Sequence, residues 1–267
     1  MAAKAQDAIV LDLPDVKPAA QTEQPSQPKL VVPLGRGSRG KTVFVRWAAE
    51  RALSEGRTPV LADADRTNQE LAAYFDGVVT PPSADELDMR EWLAAFLEQQ
   101  IEETFSAFLD LGGGDLILKR IAREMQLVSF LQQYGVQPVA VHFIGPELED
   151  LAYLRDVEQN GVFAPPATVL VLNEAVVPAS RPVKAAFEPV LTHAIFKAAL
   201  ERGAKPVWMP RLPCIHEVNQ RRMTFGAARD GQLKDKQKPI GPWNRQLLAM
   251  WLREMESNFA PVADWLP

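Results

Sequence analysis

Apolar residues in this chain come as short unbroken runs, separated by longer stretches in which they recur every three or four positions. The first run, KLVVPL, breaks into glycines and arginines; helical spacing then takes over at 41–55, closes at Gly56, and a second run, TPVLAD, follows. Ser83 with Glu86 three residues on has the form of a capping box. It opens a helix whose Met89, Leu93, Phe96, Leu97 and Ile101 share one face. Beyond it lie an apolar run ending in glycines, SAFLDLGGGD, a helix over 116–134, a strand PVAVHFI, a helix over 147–158 and a strand TVLVLN. A helix over 183–202, a strand KPVWMP and two C-terminal helices complete the pattern.

Strands that are apolar throughout, rather than alternating, are buried on both faces. Separated by helices, they predict an α/β fold of three layers, a mostly parallel central sheet with helices on both sides. In such a sheet ligands gather beyond the carboxyl ends of the strands. The segments there are GRGSRGKT, DADRTN, DLGGGD, IGPELED, NEAVVP and PRLP, all rich in polar residues, glycine or proline.

Composition changes this picture only at its edges. Residues 1–28 are rich in Ala, Gln and Pro and read as a flexible tail, leaving 29–267 as a single domain. Of the 267 residues 47% are hydrophobic and 24% charged, and the net charge of −5 supplies no overall basic field for nucleic acid. A single cysteine, Cys214, excludes an intramolecular disulfide and fits a reducing cytoplasm. No apolar run reaches the roughly 18 residues of a membrane span.

GRGSRGKT, residues 35–42, fits G-x-x-x-x-G-K-[ST] between a strand and a helix. In that pattern the backbone amides of Gly35, Arg36, Gly37, Ser38, Arg39 and Gly40, with the helix N-terminus, cradle phosphates. Lys41 neutralises them and the Thr42 hydroxyl ligates Mg²⁺. Asp110, at the end of SAFLDL, is placed to orient a Mg²⁺-bound water, or else to cap the next helix; the glycines after it suit a backbone that approaches the γ-phosphate. Asp63 and Asp65 follow the second strand, where acids serve a metal and its water or act as helix caps.

Taken together, GRGSRGKT, LADADRTN, FLDLGGG, FIGPELEDLAYLRDV and VLVLNEA resemble, over residues 29–230, the deviant Walker A ATPases of the ParA/MinD family, a branch of the P-loop NTPases. In that family the loop opens on K-G-G and closes on K-[ST], and its first lysine reaches phosphates across a dimer that sandwiches two nucleotides. Arg36 stands at that position here, and Ser38 replaces the second glycine. The resemblance implies catalytic roles for Arg36, Lys41 and Asp65, and metal contacts from Thr42, Asp63 and Asp110. It makes Gly113 a switch glycine and Asn173 the reader of adenine, with Pro210, Leu212 and Pro213 enclosing the base. It also implies a homodimer in the ATP state and a further protein partner. The guanine-reading N-K-x-D is absent, since Glu174, Ala175 and Val176 follow Asn173, so ATP is expected over GTP.

Arg221, Arg222, Arg229, Lys234, Lys236 and Lys238 cluster in an otherwise acidic chain, either as a non-specific DNA contact or as solvated loop charge diluted by Asp230 and Asp235. Trp243, Leu247, Leu248, Trp251, Leu252 and Met255 form a helical stripe that core packing explains better than a membrane does. The expectation is a cytoplasmic ATP- and Mg²⁺-dependent switch, acting in plasmid or DNA partition, conjugative transfer or positioning of a cellular assembly. A nucleotide-bound scaffold with little hydrolysis and a small-molecule P-loop kinase or synthetase are the alternatives.

Overall fold

The computed structural model describes residues 27–65, 69–111, 116–232 and 238–267. The tail expected over 1–28 therefore lies almost wholly outside the described residues.

Six strands form one sheet: β1 (Lys29–Leu34), β2 (Val60–Asp63), β3 (Ala107–Asp110), β4 (Gln137–Ile144), β5 (Ala167–Asn173) and β6 (Lys205–Met209). Their order is β2-β3-β1-β4-β5-β6, and every pairing is parallel. All six residues of β1 and all seven of β5 are buried, as continuous apolar runs require of strands covered on both faces. Successive residues serve opposite sides. Val31, Phe108, Val141 and Val169 join one core with Phe44 and Trp47 of helix α1 (Lys41–Ser54). Leu30, Val32, Ala107 and Leu109 join another with Trp92 and Phe96 of helix α2 (Glu86–Glu103). This is a three-layer α/β architecture, with β1 inside the sheet and the loop that follows it at the carboxyl edge.

Several helices depart from the pattern expected. The cap of α2 is Asp85, whose carboxylate accepts from Leu87 N at 2.8 Å, rather than Ser83. Ser83 Oγ instead accepts from Asp85 N at 3.0 Å, fixing the approach to the helix. The helix expected over 116–134 is two, α3 (Leu116–Met125) and α4 (Leu127–Gln133), because Gln126 takes a left-handed φ of 49°. In place of one helix over 147–158, a 3-10 turn Leu148–Leu151 leads into α5 (Ala152–Asn160). The helix expected over 183–202 breaks into α6 (Val183–Thr192) and α7 (Ala194–Glu201). Pro189 lies inside α6, and at the break His193 is extended and its Nδ1 accepts from Ile195 N at 3.2 Å. The C-terminal region holds α8 (Ile215–Gln220), α9 (Phe225–Arg229) and α10 (Pro242–Phe259) rather than two helices.

Core packing does account for most of the apolar stripe on α10: Leu248, Trp251 and Met255 are buried, and Leu247 and Leu252 pack at their margin. Trp243 departs from it, being 76% exposed. Among the described residues no helix is long and apolar enough to cross a membrane.

Two polar ties hold the edge of the sheet remote from the loop. Lys29 Nζ donates to Leu266 O at 2.9 Å, and Gln100 Nε2 donates to both Lys29 O and Phe105 O at 3.1 Å.

His142, in the middle of β4, is 1% exposed, and neither ring nitrogen has a hydrogen-bond partner. Burial, with a smaller push from Arg202, holds its pKa at about 3, below the ordinary 6.5. Between those values the unfolded chain binds a proton that the native state refuses, so stability falls as pH drops from about 6.5 towards 3. His142→Leu is expected to flatten this decline. Urea midpoints at pH 7 and pH 4.5 check it, and an unchanged slope in the variant would remove His142 as the cause.

Candidate functional site: a phosphate loop at the carboxyl edge

The two glycines that frame the loop are fixed by space and by backbone. Gly35 has φ 133°, and a Cβ on it would lie 2.7 Å from Phe143 O of β4. Gly40 has φ 94°, and a Cβ there would meet Asn173 Nδ2 at 2.5 Å. Gly37 has no neighbour within 4 Å of such a Cβ, so the structure gives no packing reason for it. Ser38 is the exception in kind, since it holds a left-handed φ of 58° with an L side chain. That conformation costs an L residue about 1–2 kcal/mol, which explains why a glycine is at home there. Ser38→Gly is expected to raise stability by about 1 kcal/mol, partly offset by a looser unfolded chain. A thermal melt checks this, and a lower melting temperature would refute the strain.

Helix α1 starts at Lys41 with no side-chain cap, so its first-turn amides are left for an anion beside the loop. Lys41 is 6% exposed, and its Nζ donates to Gly35 O and Arg36 O at 3.1 Å each. Burial lowers its pKa from 10.5, opposed by the carboxylates of Asp110 and Asp65. The ammonium therefore lies inside the loop, within the charge of both acids.

Thr42 Oγ1 donates to Asp110 Oδ2 at 3.2 Å, which brings the helix hydroxyl and the strand-end acid to one point. Asp63 is in register with Asp110 on the neighbouring strand. It accepts from Leu71 N at 3.0 Å and Asp65 N at 3.3 Å, so it also fastens the turn after β2. Its pKa is raised from 3.8 to about 6, by burial first and then by Asp110 and Asp65 against the two backbone bonds. No group of three or more His, Cys, Asp or Glu among the described residues could hold a metal by itself. A hydroxyl and a few carboxylates do fit Mg²⁺, which keeps waters and takes the rest of its octahedron from phosphate. Thr42 and Asp110 would hold such an ion, with Asp63 behind them.

Asn173 ends β5, is 2% exposed, and is engaged at both ends of its amide. Nδ2 donates to Arg39 O at 2.7 Å and Oδ1 accepts from Ala175 N at 2.9 Å. These two bonds use one N–H and one lone pair of the amide. Met209 is paired with Asn173 across β5 and β6, and Pro210, Leu212 and Pro213 follow it in the chain. Pro210 O accepts from Trp251 Nε1 at 2.8 Å, Leu212 is buried and Pro213 exposed. Gly113 and its neighbouring glycines, the segment 66–68, and Lys234 and Lys236 lie outside the described residues. Of the other basic residues, Arg221 pairs with Glu217 at 2.6 Å and Arg229 with Asp230 at 2.7 Å, so both charges are locally compensated.

Two features escaped the sequence. Asp150, in the turn after β4, reaches both loop arginines: Oδ1 lies 2.8 Å from Arg39 Nε and 3.5 Å from Arg36 Nη1. Its only signal was an acid following a strand, in IGPELED. Arg46, on α1, is 2% exposed. It donates to Asn219 Oδ1 at 2.7 Å and Met223 O at 3.0 Å, and its guanidinium lies over Tyr74 at 3.5 Å and Phe225 at 4.4 Å. One turn further on, Glu50 accepts from Phe225 N at 2.7 Å and Gly226 N at 2.8 Å. No sequence pattern marked this knot, which binds α1 to α8 and α9.

The sequence matches no family model and no curated protein. Among solved structures, the signal recognition particle receptor FtsY from Elizabethkingia anophelis in complex with GDP is 16% identical, with a TM-score of 0.43. The match covers 72% of this chain and 60% of that one, so this chain spans well under two thirds of its length. Chloroplast FtsY from Physcomitrella patens is 16% identical, with a TM-score of 0.43 over 89% of this chain and 68% of that one. The MinD cell division protein of Aquifex aeolicus is 15% identical, with a TM-score of 0.48 over 86% of this chain and 97% of that one.

Proposed function

We propose that this protein is a Mg²⁺-dependent ATPase switch of the ParA/MinD type, in which ATP closes a homodimer and slow hydrolysis reopens it. The observation that carries this reading is the convergence, at one strand edge, of an inward-facing Lys41, the Thr42–Asp110 pair and an uncapped helix N-terminus. Lys41 and the loop amides would bind the β- and γ-phosphates; bound Mg²⁺ would supply charge neutralisation and an oriented water. Asp65 and Asp63 would steer that water. Arg36, with its side chain 48% exposed and held by Asp150 only at 3.5 Å, would meet a second copy's nucleotide.

ATP is favoured over GTP because Val176 stands three residues after Asn173, at the position of the acid that reads guanine in N-K-x-D. Partition, conjugative transfer and positioning of an assembly are the settings in which such a switch works, with a protein partner reading the closed state. Phosphate release measured with ATP and with GTP, with Mg²⁺ or EDTA, tests the chemistry. Light scattering with a non-hydrolysable ATP analogue tests the dimer. Slow, Mg²⁺-dependent turnover preferring ATP and a doubling of mass are expected. A dimer without turnover under any condition would convert the reading to a nucleotide-bound scaffold, and no binding of either nucleotide would end it.

A further inference from the structure

The side chain of Asp150 is fully buried. Among the described residues only one of its oxygens is used: Oδ1 serves both Arg39 and Arg36, while Oδ2 is buried with no hydrogen-bond partner there. Oδ2 is packed against Gly145 so closely that a Cβ there would lie 2.3 Å from it. A buried carboxylate with one oxygen unpaired is costly to keep for packing alone.

The two arginine contacts are unequal. Arg39, 20% exposed, donates at 2.8 Å; Arg36, 48% exposed, stands at 3.5 Å, the outer limit of a hydrogen bond. A guanidinium half in water and loosely held exchanges partners readily, and polyphosphate oxygens present it with the same geometry as a carboxylate. Asp150 thus acts as an internal anion on two cations carried by the loop itself.

We infer that Asp150 is a positioning residue of the phosphate loop. It fixes Arg39 in place and holds Arg36 back, and the Arg36 contact is surrendered when a nucleoside triphosphate enters. The inference rests on the loop binding nucleotide, as proposed above.

Asp150→Asn isolates the charge. The amide Oδ1 still accepts from Arg39 Nε, and the amide nitrogen takes the space of Oδ2, while the competing anion is gone. Titration of the full chain with ATP at low salt is expected to show about tenfold tighter binding in Asp150→Asn, the gain disappearing when Arg36→Ala is added. A purely structural role predicts the opposite, weaker binding together with a lower melting temperature in either background. Folded Asp150→Asn protein that binds ATP no more tightly than wild type overturns the inference, as does a gain that survives Arg36→Ala. Should Asp150→Asn not fold, Arg36→Lys decides. Its shorter ammonium loses Asp150 but keeps the charge, so several-fold tighter ATP binding supports the inference, and unchanged or weaker binding overturns it. Wild-type protein that binds no ATP overturns the nucleotide reading and this inference with it, whereas failure confined to the variants overturns this inference alone.

Discussion

Lys41→Ala is expected to lower ATP affinity by at least about a hundredfold, close to 3 kcal/mol, since hydrogen bonds to charged groups contribute about 1.5–3 kcal/mol each. Lys41 sits where its ammonium bridges Gly35 O and Arg36 O inside the loop, and phosphate oxygens are the natural replacement for those carbonyls. The fold should survive the change. Burial already penalises this cation, and Asp110 and Asp65 offset only part of that penalty, so deleting it removes a cost as well as two contacts. Calorimetric titration with ATP, next to a thermal melt, separates the two effects. Retained affinity would show that the loop is not the phosphate site; lost affinity with a collapsed melt would show only that Lys41 holds the loop together.

Arg46→Ala is expected to destabilise the protein by about 4 kcal/mol, the scale seen when one member of a buried charged group is removed. The substitution strands Met223 O, leaves Asn219 Oδ1 with only the Tyr74 hydroxyl at 3.4 Å, opens a cavity between Tyr74 and Phe225, and takes a positive charge from beside Glu50. Glu50 is already pushed up by burial and is kept down mainly by the amides of Gly226 and Phe225. Arg46→Lys should recover little, because an ammonium cannot make the forked contacts or stack between two rings. Urea denaturation checks both variants, and a loss below about 1 kcal/mol for Arg46→Ala would show that the knot contributes little.

How far the sequence reached depended on whether a feature is repeated along the chain or made by chance meeting in space. The strands were legible because parallel strands covered on both faces are apolar at every position, as in VLVLN of β5. The loop was legible because Gly35, Gly40, Lys41 and Thr42 are dictated by local backbone and by the phosphate that they would face. Helix breaks were not: Gln126 and His193 interrupt helical spacing with residues that ordinarily continue it, and only tertiary packing makes the breaks pay. The cap of α2 shifted by two residues because Ser83 and Asp85 both suit the role, and the hydroxyl bonded to the acid's own backbone instead. Asp150 and Arg46 lie more than a hundred residues from several of their partners, a separation at which one sequence carries no signal.

The tie between Lys29 and Leu266 sets where the molecule is handled from outside. β1 runs from Lys29 to Leu34, a rise of about 17 Å at roughly 3.3 Å per residue, and the glycine-rich loop begins only at its far end. Residues 29 and 266 therefore lie together on the side of the sheet opposite the loop, held by one lysine. A fluorescent reporter or a surface anchor fused at either place hangs beneath the sheet, and a short linker joining the two would let the chain be reopened at an exposed turn instead. Either arrangement leaves the loop face clear.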